Sequence, residues 1–255
     1  MHFIIKPMNQ MGEWNVQITR EERLKRTALL LDESQMEKLK NAHVMLLGLG
    51  GVGSYAAEAL ARGGVGKMTI VDSDDVAVSN LNRQLPALAS NVGRLKTEVV
   101  AQRLRDAAPD MQLQTVNAFY LPDDPVAIPD DCTVVVDAID TTSAKLHLAQ
   151  VCQERGVALV SCMGMGNRLD PTQIRIGDIF ETTGCPLCRV MRHELRKRGI
   201  PALRCVYSTE PAITPHHGPD AEIKGTRPAP GSVSFVPSVA GLYLAYEAMR
   251  MIADF

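Results

Sequence analysis

The pattern of apolar and polar residues predicts two kinds of element that alternate along most of the chain. Short apolar runs are typical of buried strands, and the amphipathic segments between them are typical of helices. The predicted strands are 44–47, 67–71, 111–117, 133–137, 157–162 and 173–176. The predicted helices are one or two short ones within 20–40, then 55–62, 96–107, 144–154, 189–198 and 239–253.

Strand and helix repeated in this order predict an α/β fold of the Rossmann-like, doubly wound kind. Such a fold has a mostly parallel sheet with helices on both faces. The pattern weakens after residue 164, and 206–235, dense in Pro, Gly and Thr, is predicted to be an irregular C-terminal extension. Residues 1–19 have no clear period and are predicted to form a flexible N-terminal arm. No linker separates two units, so 20–255 is predicted to be a single domain.

Composition excludes several functional classes. The formal net charge of −2 provides no overall field for nucleic acid or membrane, so affinity for either would need a local patch. No apolar run approaches the length of a membrane span, and we expect a cytoplasmic protein without a membrane partner. Six cysteines in a chain without a signal peptide indicate reduced thiols.

A glycine-rich loop follows the first predicted strand and precedes a helix. Gly48, Gly50, Gly51 and Gly53 have the G-x-G-x-x-G spacing in the context that this motif requires. Glycines let the backbone approach a phosphate closely, and the helix N-terminus provides free N–H groups. Asp72 ends the next strand, where a carboxylate accepts from ribose hydroxyls. The alternative, that the glycines only permit tight packing, leaves Asp72 unexplained.

A polar cluster follows the second predicted strand. A nicotinamide dinucleotide has little need of cations and carboxamides near its phosphates. The cluster therefore disfavours a dehydrogenase. A triphosphate does need it, because charge must be neutralised on the β- and γ-phosphates while the α-phosphorus is attacked. Two cations would hold the leaving pyrophosphate, and a carboxylate would hold Mg²⁺. The plain alternative is a solvated loop and helix. The cluster consists of Asp74, Asn80, Asn82, Arg83, Gln84 and Lys96.

The stretches GLGGVGS, VDSDDVAVSNLNRQ, GRLKTEVV and VVDAIDT together resemble the ubiquitin-activating-like superfamily of adenylating enzymes, which includes the ThiF-type activators of sulfur-carrier proteins. The resemblance covers roughly 20–180 and continues more weakly to the C-terminus. It implies that the loop glycines cradle the phosphates of ATP and that Asp140 lies beside Mg²⁺ and the reacting phosphates. The other ATP-binding residues that it implies are Asp72 at the ribose, Asp74, and Asn80, Arg83 and Lys96 at the triphosphate.

The same resemblance implies a homodimer. In the superfamily, an arginine from the N-terminal helix reaches into the ATP site of the neighbouring subunit. Arg26, in the stretch RLKRTALL, matches that position, and Arg23 lies one turn earlier.

The cysteines raise the question of zinc. Activators of sulfur carriers usually have two C-x-x-C pairs that hold a structural zinc, whereas this chain has one, Cys185 and Cys188. One pair is half of a tetrahedral site. We favour two ordinary thiols over zinc at this pair. The residues that would have to complete a zinc site are Cys205 with His193, or His216 and His217.

A thiol nucleophile is not evident in the sequence. Cys132 and Cys162 lie beside predicted strands and are expected in the core. Cys205 is the strongest candidate, because the basic residues before it would lower its pKa.

Six Lys and Arg residues fall within 189–204. Such a run is usually a solvated helix face, but in a dimer it would also make a surface that follows RNA phosphates. The stretches DPTQI, HELRKRGI, CVYSTE and GSVSFVP resemble the subfamily called tRNA threonylcarbamoyladenosine dehydratases. That resemblance implies adenylation of the threonylcarbamoyl carboxylate beside the anticodon. A nitrogen of the same modification then closes a ring and releases AMP, so no enzyme thiol is needed.

Two other functions stay open at this point. An activator of the C-terminal carboxylate of a ubiquitin-like sulfur carrier would bind zinc, present an apolar docking groove and work with a sulfur-relay partner protein. A non-enzymatic nucleotide-binding scaffold is disfavoured, because it would not need Asp72, Arg83, Lys96 and Asp140 together.

Overall fold

The computed structural model describes residues 18–216 and 230–255. The predicted arm 1–19 therefore lies almost wholly outside the described residues, as does His217. The strands are β1 His43–Leu47, β2 Lys67–Val71, β3 Gln112–Val116, β4 Val134–Asp137, β5 Ala158–Cys162, β6 Ile174–Asp178 and β7 Arg204–Ser208. The α-helices are α1 Arg20–Leu24, α2 Glu33–Asn41, α3 Gly53–Gly63, α4 Lys96–Ala107, α5 Thr142–Arg155, α6 Pro186–Lys197 and α7 Phe235–Ala253.

The described strands form one sheet in the order β3-β2-β1-β4-β5-β7-β6. All neighbouring pairs are parallel except β6 with β7. The chain reverses its direction across the sheet between β1 and β4. In open sheets of this kind, ligands bind outside the carboxyl ends of the strands at such a switch point. The predicted doubly wound α/β fold is confirmed.

Helices cover both faces of the sheet because the central strands are apolar on both sides. In β1, Val44 and Leu46 face a core shared with α3, α4 and α7. Met45 and Leu47, on the opposite face, pack against α5. A further cluster joins α5 to α6, which thus lies at the end of the sheet beyond β5.

Gly64 and Gly156 end α3 and α5 in the left-handed conformation, with φ of 100° and 65°. A glycine adopts this conformation without the Cβ clash that other residues would suffer. The two glycines fix where the chain leaves each helix and enters the next strand.

The prediction that 206–235 is wholly irregular is wrong at both ends. Arg204–Ser208 forms β7, inserted between β5 and β6 with buried Cys205 and Val206. This strand is short and flanked by prolines, which hid it in the sequence. At the other end, α7 begins at Phe235 and not at 239. Pro237 lies in its first turn, where a missing N–H breaks no intrahelical bond.

Within the described ranges, we find no helix that is both long enough and apolar enough to cross a membrane.

Candidate nucleotide and catalytic site

A cleft of about 640 Å³ opens at the carboxyl ends of β1, β2 and β4. It lies at the switch point of the sheet, where the fold favours a ligand site. The cleft gathers the glycine loop, the polar residues after β2, the start of α4 and the loop after β4. Its predicted lining residues are Gly48, Gly50, Gly51, Asp72, Asp74, Asn80, Arg83, Gln84, Lys96 and Asp140.

The glycine loop needs its glycines for packing and leaves one of them open to the cleft. Gly48 has a φ of +89°, and a Cβ there would lie 2.7 Å from the carbonyl oxygen of Ala138. A Cβ on Gly53 would overlap the carbonyl oxygen of Gly48. Gly50 has only the side-chain nitrogen of Gln84 near it, at 3.8 Å. A phosphate therefore has room to approach the backbone at Gly50.

Asp72 is built into the wall of the cleft. Its Oδ2 accepts a 2.6 Å hydrogen bond from the Leu49 N–H, and its Oδ1 accepts one of 2.8 Å from the Asp74 N–H. Burial raises the pKa of this carboxyl group above its ordinary value, and the nearby Lys96 charge counteracts the rise. The predicted ribose-binding carboxylate is thus held in place by the loop that it follows.

Two cations reach the cleft from different elements. Lys96, the first residue of α4, places its Nζ 2.7 Å from Asp74 Oδ2 and 4.0 Å from Asp72 Oδ1, and its side chain is only 5% exposed. Arg83 Nη1 donates hydrogen bonds of 2.8 Å to the Ser79 carbonyl and to Asn82 Oδ1. Both cations line the same cleft as the glycine loop, and charged donors of this kind bind the oxygens of a polyphosphate.

The loop that carries Asp140 is anchored by a buried ion pair. Lys145 Nζ lies 2.9 Å from Asp137 Oδ2, and both side chains are 1% exposed. The other oxygen of Asp137 accepts a 3.0 Å hydrogen bond from the Ile139 N–H. Lys145 also donates to the Cys162 carbonyl at 2.7 Å. The same ammonium group therefore connects the end of β4 to the end of β5. Asp140 itself is exposed and faces the cleft.

Some predicted residues have local roles or lie elsewhere. Asn80 lines the cleft, but its side-chain oxygen also accepts a hydrogen bond from the Ala77 N–H. The side-chain nitrogen of Asn82 donates to the Ser232 carbonyl at 3.0 Å, which ties the loop to the chain before α7. Gly53 is one step removed from the cleft, inside the packing of the loop.

Sequence reasoning missed an apolar wall made by Phe119, Tyr120 and Leu121 in the loop after β3. Tyr120 donates to or accepts from His147 Nδ1 at 3.0 Å, and burial raises its pKa to about 12. An apolar wall beside a phosphate cradle suits a flat base such as a purine. The only signal in the sequence was the position of this loop at the carboxyl end of a parallel strand.

Gln84, a member of the predicted polar cluster, has a more specific place in the cleft. It is 9% exposed, and its side-chain oxygen is buried without a hydrogen-bond partner among the described residues. A buried polar atom of this kind at the edge of a cleft is suited to a ligand donor.

Arg26 does not line the cleft. It is exposed and precedes a short 3-10 helix, Thr27–Leu29. Arg23, in contrast, is committed to an ion pair with Asp110 at 2.9 Å. The proposed action of Arg26 on a second subunit stays a prediction.

The expectation that basic neighbours lower the pKa of Cys205, the strongest candidate nucleophile, is wrong. Cys205 lies in β7 and is fully buried, and burial raises the pKa of its thiol to about 12. The neighbouring Arg204 ion-pairs with Glu247 at 2.6 Å, so its charge is already partnered. Cys132 and Cys162 are buried, as expected. The part of the chain that the structure describes contains no group of three or more His, Cys, Asp or Glu side chains arranged to hold a metal ion.

The basic residues of 189–204 form two groups. Some are bonded to neighbouring groups, and others are exposed. In α6, Arg192 donates to the Thr182 carbonyl at 2.9 Å, and Lys197 and Arg198 ion-pair with Glu194. Arg189 and Arg196 are exposed and lie two helical turns apart on one face. The guanidinium group of Arg196 also stacks 5.0 Å from the ring centre of Phe180.

Fold and site together define a nucleotide-binding α/β protein whose cleft is equipped for a triphosphate. Residues 24–255 match the model of the ThiF family, and the chain belongs to that family.

Two relatives and one solved structure are described as dehydratases of the same kind. The chain is 39% identical over 239 residues to the tRNA threonylcarbamoyladenosine dehydratase of Bacillus subtilis, covering 90% of this chain and 94% of that protein. It is 37% identical over 243 residues to the Escherichia coli protein of the same description, covering 88% and 91%. The crystal structure of the E. coli tRNA N6-threonylcarbamoyladenosine dehydratase in complex with ATP is similar, with a TM-score of 0.80, 34% identity and coverage of 94% and 98%.

Proposed function

We propose that this protein is an ATP-dependent tRNA threonylcarbamoyladenosine dehydratase. It adenylates the carboxylate of the threonylcarbamoyl group beside the anticodon and closes that group into a ring with release of AMP. The observation that carries the adenylation chemistry is the pair of cations, Arg83 and Lys96, in the same cleft as the glycine loop. The substrate rests on the likeness to the dehydratases of B. subtilis and E. coli.

We propose one orientation for ATP in the cleft. The triphosphate lies along the glycine loop, where the Gly50 backbone is open, and the ribose hydroxyls lie at Asp72. The base lies against the apolar wall of Phe119 and Leu121. This orientation directs the β- and γ-phosphates towards Arg83 and Lys96, and the α-phosphate towards the loop of Asp140.

Adenylation then proceeds by attack of a substrate carboxylate oxygen on the α-phosphorus, with pyrophosphate as the leaving group. Negative charge grows on the bridging oxygen as that bond breaks. Arg83 and Lys96 are already in place to stabilise it, because each is held by hydrogen bonds before ATP binds. Charge stabilisation by groups that need no rearrangement is typically the largest catalytic contribution in such sites.

Asp140 is the carboxylate that would hold Mg²⁺ together with the triphosphate. Its exposure on the cleft fits this role, since Mg²⁺ in nucleotide sites usually takes one or two protein carboxylates and keeps its remaining ligands as phosphates and waters. When bound, Mg²⁺ would neutralise charge on the phosphates. The anchored loop through Asp137 and Lys145 keeps the Asp140 backbone at the edge of the cleft.

Ring closure requires no enzyme nucleophile. A nitrogen of the threonylcarbamoyl group attacks the acyl carbon of the adenylate, and AMP leaves with the former carboxylate oxygen. Because nucleophile and acyl group belong to one substituent, their effective concentration is high and positioning provides most of the acceleration. All six cysteines are buried, which is consistent with a reaction that uses no thiol.

The tRNA would lie over α6. The exposed face with Arg189 and Arg196 offers positive charge that is not paired with a carboxylate among the described residues. Contacts to phosphates from such a face position RNA without reading its sequence.

The active form would be a homodimer in which Arg26 completes the neighbouring ATP site. Leu29 and Leu30, just after Arg26, are 73% and 87% exposed. Contact with a second subunit would remove the apolar surface of these two leucines from water.

The test compares two carboxylate substrates. Purified protein with ATP and Mg²⁺ should release AMP and pyrophosphate when given tRNA that carries threonylcarbamoyladenosine, and the modified nucleoside should lose the mass of one water. Unmodified tRNA is the matched control and should not stimulate AMP release. Stimulation by a ubiquitin-like sulfur carrier with a free C-terminal carboxylate, and none by modified tRNA, would contradict the proposal and favour the carrier activator.

A further inference from the structure

The C-x-x-C pair lies at the beginning of α6. Cys185 is the N-cap of this twelve-residue helix, with extended backbone angles of φ −89° and ψ 122°, and Cys188 lies in the first turn. Positions three residues apart in a helical turn face each other at about 5–6 Å between their Cβ atoms. A modest adjustment at an N-cap, which is outside the helix proper, brings such a pair within reach of a disulfide.

The two cysteines lie in one buried cluster at the beginning of α6. Both are free thiols, and the Cys185 side chain makes no capping hydrogen bond. A thiol at a helix N-terminus is favoured in its thiolate form. The neighbouring Cys188 thiol lowers the pKa of Cys185 to about 5, whereas the interaction with Cys185 and burial raise the pKa of Cys188.

A buried cation lies near the first turn of α6. Arg168 is 3% exposed, and its Nη1 is buried without a hydrogen-bond partner in the described ranges. Its Nε donates to the Gly164 carbonyl at 3.2 Å, and a Cβ on Gly164 would touch Leu187 in the first turn of α6. The Arg168 charge acts on Cys185 and favours its thiolate. A buried guanidinium group without a carboxylate partner needs such a countercharge.

We propose that Cys185 and Cys188 are a reversible redox pair, oxidised to a disulfide by a hydroperoxide and reduced by a dithiol. Cys185 is the attacking residue and Cys188 the resolving residue. This site is separate from the nucleotide cleft and does not depend on the proposed function.

Oxidation of the pair to a disulfide takes two steps. The Cys185 thiolate attacks one oxygen of hydrogen peroxide, the O–O bond breaks, and Cys185 becomes a sulfenic acid while hydroxide leaves and takes a proton to form water. The Cys188 sulfur then attacks the Cys185 sulfur, an S–S bond forms, and hydroxide leaves with the Cys188 proton as a second water. The two sulfurs together lose two electrons, which the peroxide gains.

Selectivity favours this pair. Cys185 is 4% exposed, and Thr183, Gly184 and Pro186 around it are exposed. For the other thiols, burial raises the pKa, to about 12 for Cys152, Cys162 and Cys205. Thiols in that state are almost entirely protonated near neutral pH and react slowly with peroxide.

The experiment uses the full chain, reduced with a dithiol and freed of reductant, whose zinc content is measured first. After brief exposure to hydrogen peroxide, the protein is denatured, alkylated and digested with trypsin. We expect two of the six thiols to escape alkylation, both in peptide 176–189, which should be lighter by two hydrogen atoms and should recover its thiols after a dithiol is added. Loss spread over all six cysteines, or no loss at this pair, would overturn the proposal.

Three variants test the assigned roles. Cys188→Ser should stop at a Cys185 sulfenic acid that a dimedone probe captures, and Cys185→Ser should leave Cys188 unoxidised. Arg168→Met should slow the reaction of Cys185 by ~10-fold or more, since it removes the neighbouring charge. Cys152→Ala, in a separate core cluster, is the matched control and should oxidise like the parent. One zinc ion per chain that prevents disulfide formation would also overturn the proposal.

Discussion

The side-chain ammonium group of Lys96 lies 2.7 Å from the Oδ2 of Asp74. Lys96 is almost buried at the start of α4, whereas Asp74 is half exposed in the loop after β2. The carboxylate therefore holds the lysine at the edge of the cleft while the phosphate side stays open. The proposed adenylation depends on this pre-placed charge, because a cation that had to be recruited from solvent would stabilise the transition state less.

Replacing Lys96 by Met should reduce pyrophosphate release by at least ~100-fold, the usual effect of removing one preorganised charge from an active site. The fold should survive, since Met keeps the length of the buried stem. Steady-state kinetics measure pyrophosphate release, and a melting curve on the same sample measures whether the fold survives. Lys38→Met, on the exposed face of α2, is the control and should behave like the parent. Near-normal turnover in the Lys96 variant would reject the triphosphate assignment.

Arg26 should act across a dimer interface. A mixture of Arg26→Ala and Asp140→Ala subunits should regain activity, because each mixed dimer then has one complete site. With random exchange, about a quarter of the parent activity is expected, since half of the dimers are mixed and half of their sites are complete. The control mixes Arg62→Ala subunits, in place of Arg26→Ala subunits, with Asp140→Ala subunits. No recovery, with mixed dimers demonstrated by mass spectrometry, would show that Arg26 does not act in this way.

Charge reversal on the exposed face of α6 should weaken tRNA binding. The suitable variant combines Arg189→Glu, Arg196→Glu and Lys197→Glu and leaves Arg192 in place, because Arg192 holds the Thr182 carbonyl. The slope of log affinity against log salt should become shallower by roughly 1 for each phosphate that the variant no longer neutralises, with ATP binding unchanged. The control reverses Lys38, Lys40 and Arg62 and changes the net charge equally. Equal tRNA affinity of the two variants at every salt concentration would exclude α6 as the RNA surface.

The buried pair of Lys145 and Asp137 should matter for stability as well as for the loop of Asp140. Lys145→Met leaves a buried carboxylate without its cation, and the free energy of unfolding should fall by about 3–5 kcal/mol. The double variant with Asp137→Asn should recover a large part of this loss. Urea unfolding followed by circular dichroism measures both. Lys67→Met, whose partner Asp131 is solvent-exposed, should cost far less. A Lys145 variant as stable as the Lys67 variant would contradict the buried clamp.

The sequence was sufficient for six of the seven strands of the described sheet and for the glycine loop. Apolar runs predicted those strands, and the glycine spacing with Asp72 predicted a nucleotide site whose residues lie in one cleft. These features are local, so a single chain segment reveals them. The strand β7 was missed because its stability comes from pairing with β5 and β6, which are distant in sequence.

The parts of the site that sequence could not reveal depend on tertiary contacts. The wall formed by Phe119 and Leu121 comes from a loop without a motif, and the clamp of Lys145 onto Asp137 joins a helix to a strand end. Basic neighbours in the sequence indicated a lowered pKa for Cys205, whereas its place in β7, between β5 and β6, buries it and raises the pKa. Burial, and not sequence proximity, decided the state of that thiol.

The most direct test follows one oxygen atom. Modified tRNA labelled with oxygen-18 in the threonylcarbamoyl carboxylate is incubated with the protein, unlabelled ATP and Mg²⁺, and the nucleotides are analysed by mass spectrometry. Adenylation followed by ring closure places one labelled oxygen in AMP, because the former carboxylate oxygen becomes the bridging atom that leaves with the phosphate. Label in inorganic phosphate with ADP as the nucleotide product, or ring closure with unlabelled AMP, would contradict activation of the carboxylate by adenylation.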